Sequence, residues 1–337
     1  MGDKVNLLSI AEKTGYSVST VSRVLSGKAG KYRISQTAVD LITLEARRSH
    51  YSPNLVAQAL RTQKSRTIGL MVPGIDNPFF ATLASSVNSL LAARGYHTLL
   101  ADSREDEEEE AAALDMFRRR SVDGIIAVPV ASTPTLHEEV SKSVPLVLID
   151  RYFESTVLPY VCTDNYAGAV MATQYLLGKG YKRILAVQGV QASMPNQERV
   201  RGFLAALEGS SVEYRVVGDA FSVENGYNRI MDVFRDGGER FDAVFAFSTT
   251  ILLGVIDAFR TLGLHIGQDV GVISFDNNNF LDFLDPAVTR VGQPLREAGE
   301  IAVKTLFSLI ESRNAGLPEP PPVQQMIRPK LIVRSSC

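Results

Sequence analysis

Apolar positions follow two different rhythms along the chain, and the change comes near Thr67. Before it, they recur at helical spacing in short stretches: Leu7 to Lys13, Val18 to Leu25, and a third from Ser35 to about His50. Asn6, Ser17 and Ser35 precede these stretches, and each has a side-chain oxygen that can accept from an unpaired N–H at a helix start. Gly15 and Gly27 suit the left-handed turn that stops a helix. Tyr51-Ser52-Pro53 ends the third stretch, because proline has no N–H to continue it. Asn54 then caps a short fourth stretch, Leu55 to Arg61, and the polar residues Thr62 to Arg66 read as a linker.

After Thr67, short β-rich runs alternate with helical segments, the order that builds a parallel α/β sheet. The strand candidates are Ile68–Val72, His97–Ala101, Gly124–Val128 and Leu146–Ile149, then Arg183–Gln188, Glu213–Val217, Ala243–Phe247 and Val270–Phe275. Strand starts are spaced by 29 and 27 residues in the first series and by 30 and 30 in the second. Two such units in one chain predict two lobes of like architecture. One more amphipathic helix, about Pro294 to Arg313, precedes the proline-rich Pro318 to Pro322 and a final extended run. The chain is therefore expected to cross between lobes near 162, 292 and 322. A cleft should form where the carboxyl ends of the two sheets meet.

Charge divides the chain in the same place. Residues 1–64 hold ten Lys or Arg against four Asp or Glu, a net +6, while the whole 337-residue chain carries −2. A basic head on an acidic body suggests a polyanionic partner for the head, without telling nucleic acid from membrane. No apolar run is long enough to span a bilayer, and the amino terminus is polar, so a cytoplasmic protein without membrane attachment is expected. Cys162 and Cys337 are expected as unpaired thiols, and four scattered histidines give no metal spacing. The acidic run Asp102 to Glu110 is better read as capping and solvating a helix that starts near Glu105 than as a metal site. Neither metal nor cofactor is expected.

The spacing of Ala11, Gly15 and Val21 is that of a helix-turn-helix. It needs a small residue at the close approach, a glycine for the turn and an apolar residue to lock the second helix. Val21, Val24 and Leu25 can then face inward while Ser19, Thr20, Ser22 and Arg23 face out. Hydroxyls are poor helix-interior residues, so their clustering points to phosphates and base edges in a major groove.

At Ser17-Val18-Ser19-Thr20-Val21-Ser22-Arg23-Val24-Leu25-Ser26-Gly27, Tyr51-Ser52-Pro53-Asn54 and Ala57-Gln58-Ala59-Leu60-Arg61-Thr62, the head closely resembles the lactose-repressor (LacI/GalR) family. The resemblance continues through Arg66-Thr67-Ile68-Gly69-Leu70, Asn77-Pro78-Phe79-Phe80, Val122-Asp123-Gly124-Ile125-Ile126, Asp150-Arg151 and Ser274-Phe275-Asp276, so it spans essentially the whole chain. It implies a multidomain protein with an all-α helix-turn-helix DNA-binding domain at 1–53 and a hinge helix and linker at 54–66. A two-lobed, periplasmic-binding-protein-like α/β domain with parallel sheets follows at 67–337. It also implies a transcription regulator, read as a repressor of a carbohydrate-related operon, with double-stranded operator DNA as partner. A small sugar or sugar-phosphate would be the effector, and the assembly a homodimer or higher oligomer.

By the same resemblance, the expected DNA contacts are Ser17, Val18, Ser19, Thr20, Ser22, Arg23, Asn54 and Leu60. Val18 and Ser19 fall at base-reading positions, and Arg23 at a base- or phosphate-contacting one. Val18 cannot hydrogen-bond, so its contact would be a thymine methyl. Leu60 matches a hinge leucine that wedges into the minor groove, or else it only packs a short amphipathic turn. The expected effector contacts are Phe79, Asp150, Arg199, Thr249 and Asp276. Phe79 either stacks on a ligand or pins its loop, and Arg199 either binds effector or lies on a helix surface. Asp150 either faces the ligand or makes an ion pair with Arg151 or another lobe-crossing contact. Two departures stand out. Ser248-Thr249-Thr250 replaces the family's Asn-Asp pair, and the turn Gly27 to Ser35 is longer than usual. That turn resembles the fructose repressor branch, as do Leu252-Leu253-Gly254-Val255 and Leu281-Asp282-Phe283-Leu284. A sugar-modifying enzyme is the main rival, but no phosphate loop, nucleophile elbow or strand-end histidine base is present. An enzyme is not expected.

Overall fold

The computed structural model describes residues 6–51, 64–235 and 241–337. Asn54 and Leu60 lie outside the described residues. The chain divides into two compact units after Ser65.

In the first unit, α1 (Leu7–Thr14), α2 (Val18–Leu25) and α3 (Gln36–Arg48) start where their caps dictate. Asn6 Oδ1 accepts from the Ser9 N–H at 2.9 Å and Ser17 Oγ accepts from that of Thr20 at 3.2 Å. Gly15 ends α1 at φ 72°, a left-handed conformation that costs glycine little, and its N–H satisfies the Ala11 carbonyl at 2.9 Å. Ile10, Ala11, Val21, Val24, Ile42 and Ala46 form the buried core.

The second unit begins with β1 (Thr67–Val72), α4 (Pro78–Ala92), β2 (His97–Asp102), α5 (Glu107–Arg119), β3 (Gly124–Ala127), α6 (Thr135–Ser141), β4 (Leu146–Ile149) and β5 (Tyr160–Thr163). The chain then enters a second lobe with α7 (Asn165–Gly178), β6 (Arg183–Val187), α8 (Met194–Leu207), β7 (Glu213–Val217), α9 (Val223–Phe234), β8 (Ala243–Ala246), α10 (Thr249–Leu262), β9 (Gly271–Phe275) and β10 (Thr289–Gly292). It returns for α11 (Leu295–Asn314) and β11 (Gln324–Ile327) and ends in the second lobe with β12 (Lys330–Ile332). The sheet orders are β11-β5-β4-β3-β1-β2 and β12-β10-β9-β8-β6-β7. All pairings are parallel except β10 with β12. The inner strands β1, β3, β4, β8 and β9 are almost wholly apolar and buried, as a sheet covered on both faces requires, whereas the edge strands β2, β7, β11 and β12 are partly or largely exposed.

Two lobes and three crossings are present, after β5, after β10 and between β11 and β12. The third lies at Arg328-Pro329, later than the position near 322. The expected single extended run is two strands, because β11 stays paired with β5 and only β12 joins the second sheet. The acidic run caps α5 through Asp106, whose Oδ1 accepts from Glu108 and Glu109 at 2.8 and 3.0 Å. Glu110 is fully buried and accepts from the N–H groups of Val130 and Ala131, both at 2.8 Å. Among the described residues no group of acids, histidines and cysteines could hold a metal ion. No described helix is long and apolar enough to cross a membrane.

Candidate functional site

On α2, Val21 and Val24 are buried while Ser17, Ser19 and Arg23 are exposed. Thr20 and Ser22 are half-buried, and Val18 is 40% exposed at the first helical position. Ser17 Oγ lies 2.9 Å from both Ser19 Oγ and Thr20 Oγ1, so the helix opens on a connected cluster of hydroxyls.

In the second unit, a half-open cleft is lined from both lobes. Almost every residue that lines it follows a strand at its carboxyl end. Phe79 and Phe80 follow β1, Asp150 and Arg151 follow β4, and Pro195 and Arg199 come from α8 after β6. Phe221, Ser248, Asp276 and Gln293 follow β7, β8, β9 and β10, and Asn77, the cap of α4, completes the wall. Asp150 and Asp276 end strands of the same rank in the two sheets. Both hold positive φ, 68° and 80°, a conformation that Asp and Asn tolerate better than other side chains.

The polar side chains are held by one another. Asp276 accepts from the Thr249 N–H at 3.0 Å and from Gln293 Nε2 at 2.7 Å. Arg199 donates to Asn165 Oδ1 at 2.9 Å and to the Phe247 carbonyl, with its guanidinium 3.9 Å from the Phe275 ring centroid. Burial pulls Arg199 below its ordinary pKa, and the nearby charges of Asp276 and Asp150 oppose that shift. Arg151 grips Glu105 with two bonds of 2.8 and 2.6 Å. Burial pushes Asp150 up to about 6, against the pull of Arg151 and Arg199. Gln293 Oε1 is buried and has no hydrogen-bond partner among the described residues.

Gly202 keeps Arg199 in place. A Cβ there would press into the Tyr166 carbonyl oxygen, because α8 lies directly on α7. Gly202→Ala is therefore expected to lower stability by about 1 to 3 kcal/mol, the usual cost of overpacking. It should also loosen the bond from Arg199 to Asn165. Unchanged urea unfolding would show that the helices separate freely.

The structure brings Phe79, Asp150, Arg199 and Asp276 to one cavity. Phe79 is buried and edge-on to Phe80, with centroids 5.1 Å apart, so it packs the loop and also forms the cavity wall. Thr249 does not line it. As the first residue of α10, Thr249 is fully buried, and its hydroxyl faces the Phe275 carbonyl at 3.4 Å. Ser248, the helix cap, takes the place at the wall. Of the alternatives for Asp150, the structure places it on the cavity wall, while the Arg151 side chain pairs with Glu105. Phe80, Phe221 and Gln293 were not singled out from the sequence. Phe80 closes the Asn77-Pro78-Phe79-Phe80 motif and Phe221 sits four residues past a predicted strand, so position at a strand end was a usable signal. Gln293 follows β10, whose Thr289-Arg290-Val291-Gly292 lacks the apolar run that marks the other strands.

Residues 68–314 match the periplasmic binding protein domain family. The ribose operon repressor of Halalkalibacterium halodurans is 30% identical over 90% of this chain and 90% of its own length. Among solved structures, the Cra transcriptional dual regulator of Pseudomonas putida, in complex with fructose 1-phosphate, is 26% identical with a TM-score of 0.72. It covers 80% of this chain and 98% of its own. A periplasmic binding protein/LacI transcriptional regulator from Alkaliphilus metalliredigens, complexed with D-xylulofuranose, is also 26% identical, with a TM-score of 0.69 over 80% and 98% of the two chains. With a helical head, two lobes of parallel sheet and a curated repressor matching along nearly its whole length, the chain belongs to the LacI/GalR family of transcription regulators and is not an enzyme.

Proposed function

We propose that the protein is a cytoplasmic, homodimeric repressor of a carbohydrate-related operon, released from or fixed to its operator by a small neutral sugar. Residues 1–53 read DNA through Ser17, Val18, Ser19, Thr20, Ser22 and Arg23, with Asn54 and Leu60 acting from the hinge at 54–66. Residues 67–337 bind the effector.

The charge balance of the cavity carries the choice of a neutral sugar. Its wall holds two aspartates and two arginines, and one of those arginines is already matched by Glu105. A phosphate dianion would meet surplus negative charge, whereas sugar hydroxyls can both donate to Asp150 and Asp276 and accept from Arg199. Phe79, Phe80 and Phe221 offer apolar faces to a sugar ring. The segments that resemble the fructose repressor branch contribute no residue to this wall.

Calorimetry with D-ribose, D-xylulose and fructose 1-phosphate tests the effector class. Tighter binding of the phosphorylated sugar would overturn it. For the DNA role, Arg23→Ala is expected to weaken binding to a specific operator by about 1 to 3 kcal/mol, the worth of a good base contact. Equal losses on specific and scrambled duplexes would show that Arg23 reads no base.

A further inference from the structure

The long turn from Gly27 to Ser35 is folded onto the head. The Lys28 N–H donates to the Arg23 carbonyl at 2.9 Å, that of Tyr32 to the Lys28 carbonyl at 3.3 Å, and that of Ile34 to the Ala29 carbonyl at 3.0 Å. Ala29 and Ile34 pack against the buried core of the head, which leaves Lys28, Lys31, Tyr32 and Arg33 exposed. The Arg23 guanidinium lies over the Tyr32 ring, 4.1 Å from its centroid.

We propose that this turn is a second DNA-contact element, in which Tyr32 holds Arg23 in its reading position and Lys28 and Lys31 bind phosphates beside it. This rests on the DNA-binding reading above. Stacking engages the face of a guanidinium and leaves its in-plane N–H groups directed at a partner, the geometry of a two-bond contact to a base edge or phosphate. An arginine already held in one place also loses less freedom on binding. Tyr32 itself is 45% exposed, while Ala29 and Ile34 anchor the turn, so its ring is not needed to hold the turn on the core. Lys28 and Lys31 before the ring and Arg33 after it add exposed positive charge, which matches a phosphate backbone. Tyr32 is thus a positioning residue acting through Arg23.

The test uses the full chain and two duplexes of equal length: one enriched by the wild-type protein from a randomised library, and a scrambled control. Tyr32→Ala should weaken the enriched duplex about 3- to 10-fold and the control by less than about 2-fold, since only the base contact depends on the stack. Tyr32→Phe, which keeps the ring, should restore wild-type affinity. Lys28→Gln with Lys31→Gln should reduce the slope of log affinity against log salt by roughly 1.8, for two lost phosphate contacts. Wild-type affinity in Tyr32→Ala, equal losses on both duplexes, or an unchanged salt slope would overturn the proposal. A wild-type chain that enriches no duplex would overturn the DNA-binding reading beneath it.

Discussion

Asp150→Asn is expected to stabilise the effector-free chain at pH 7.5 by about 1 to 3 kcal/mol while weakening effector binding. Asp150 is buried, and its folded value of about 6 lies above the ordinary 3.8. Between those values the folded chain binds more protons than the unfolded one, so stability falls as pH rises through the window. Above about 6 the full cost of burying the carboxylate is present; below about 4 it is absent. The variant has no carboxylate to bury, so its advantage should shrink as the pH is lowered from 7.5 towards 5. Asparagine also accepts the left-handed backbone at this position, so no new strain is added. Urea unfolding of both proteins across this range gives the difference directly. An advantage that does not change with pH would mean that Arg151 and Arg199 keep Asp150 ionised without cost. Retention of this cost in the natural sequence fits a carboxylate kept for a ligand.

How much of this was legible in the sequence depends on the size of the signal each residue sits in. The caps and stops of the head read directly, because Asn6, Ser17, Gly15 and Gly27 act within one turn of chain. The central strands and the two lobes followed from apolar runs at even spacing, and Asp150 and Asp276 stood out as charged residues ending such runs. Thr249 was misplaced by one position. Whether a residue caps a helix or begins it reverses the direction of its side chain, and a polar Ser-Thr-Thr run does not say which occurs. β5 and β10 were missed because Tyr160-Val161-Cys162-Thr163 and Thr289-Arg290-Val291-Gly292 mix polar with apolar residues, unlike the equally short β3, β4 and β8, and with β10 went Gln293. The stack of Arg23 on Tyr32 depends on how the long turn folds back, which no spacing encodes.

Asp276→Asn should lower effector affinity by about 10- to 100-fold, the worth of one hydrogen bond to a charged group. The carboxylate now accepts from both the Thr249 N–H and Gln293 Nε2. An asparagine has one acceptor oxygen where the carboxylate uses two, so its amide N–H must face one of these donors, or the side chain must turn and lose its alignment to the cavity. Backbone strain does not confuse the result, since asparagine also tolerates φ near 80°. The reading helix belongs to the other compact unit, so operator affinity without effector should stay within about 2-fold. An effector shifts a regulator between states only by its different affinity for them, so weaker binding at Asp276 must raise the sugar concentration needed for regulation. Operator titration with and without sugar separates the outcomes. Unchanged sugar binding would remove Asp276 from the effector site. Loss of the operator complex in the absence of sugar would instead make the Asp276, Gln293 and Thr249 cluster part of the framework that holds the DNA-binding state.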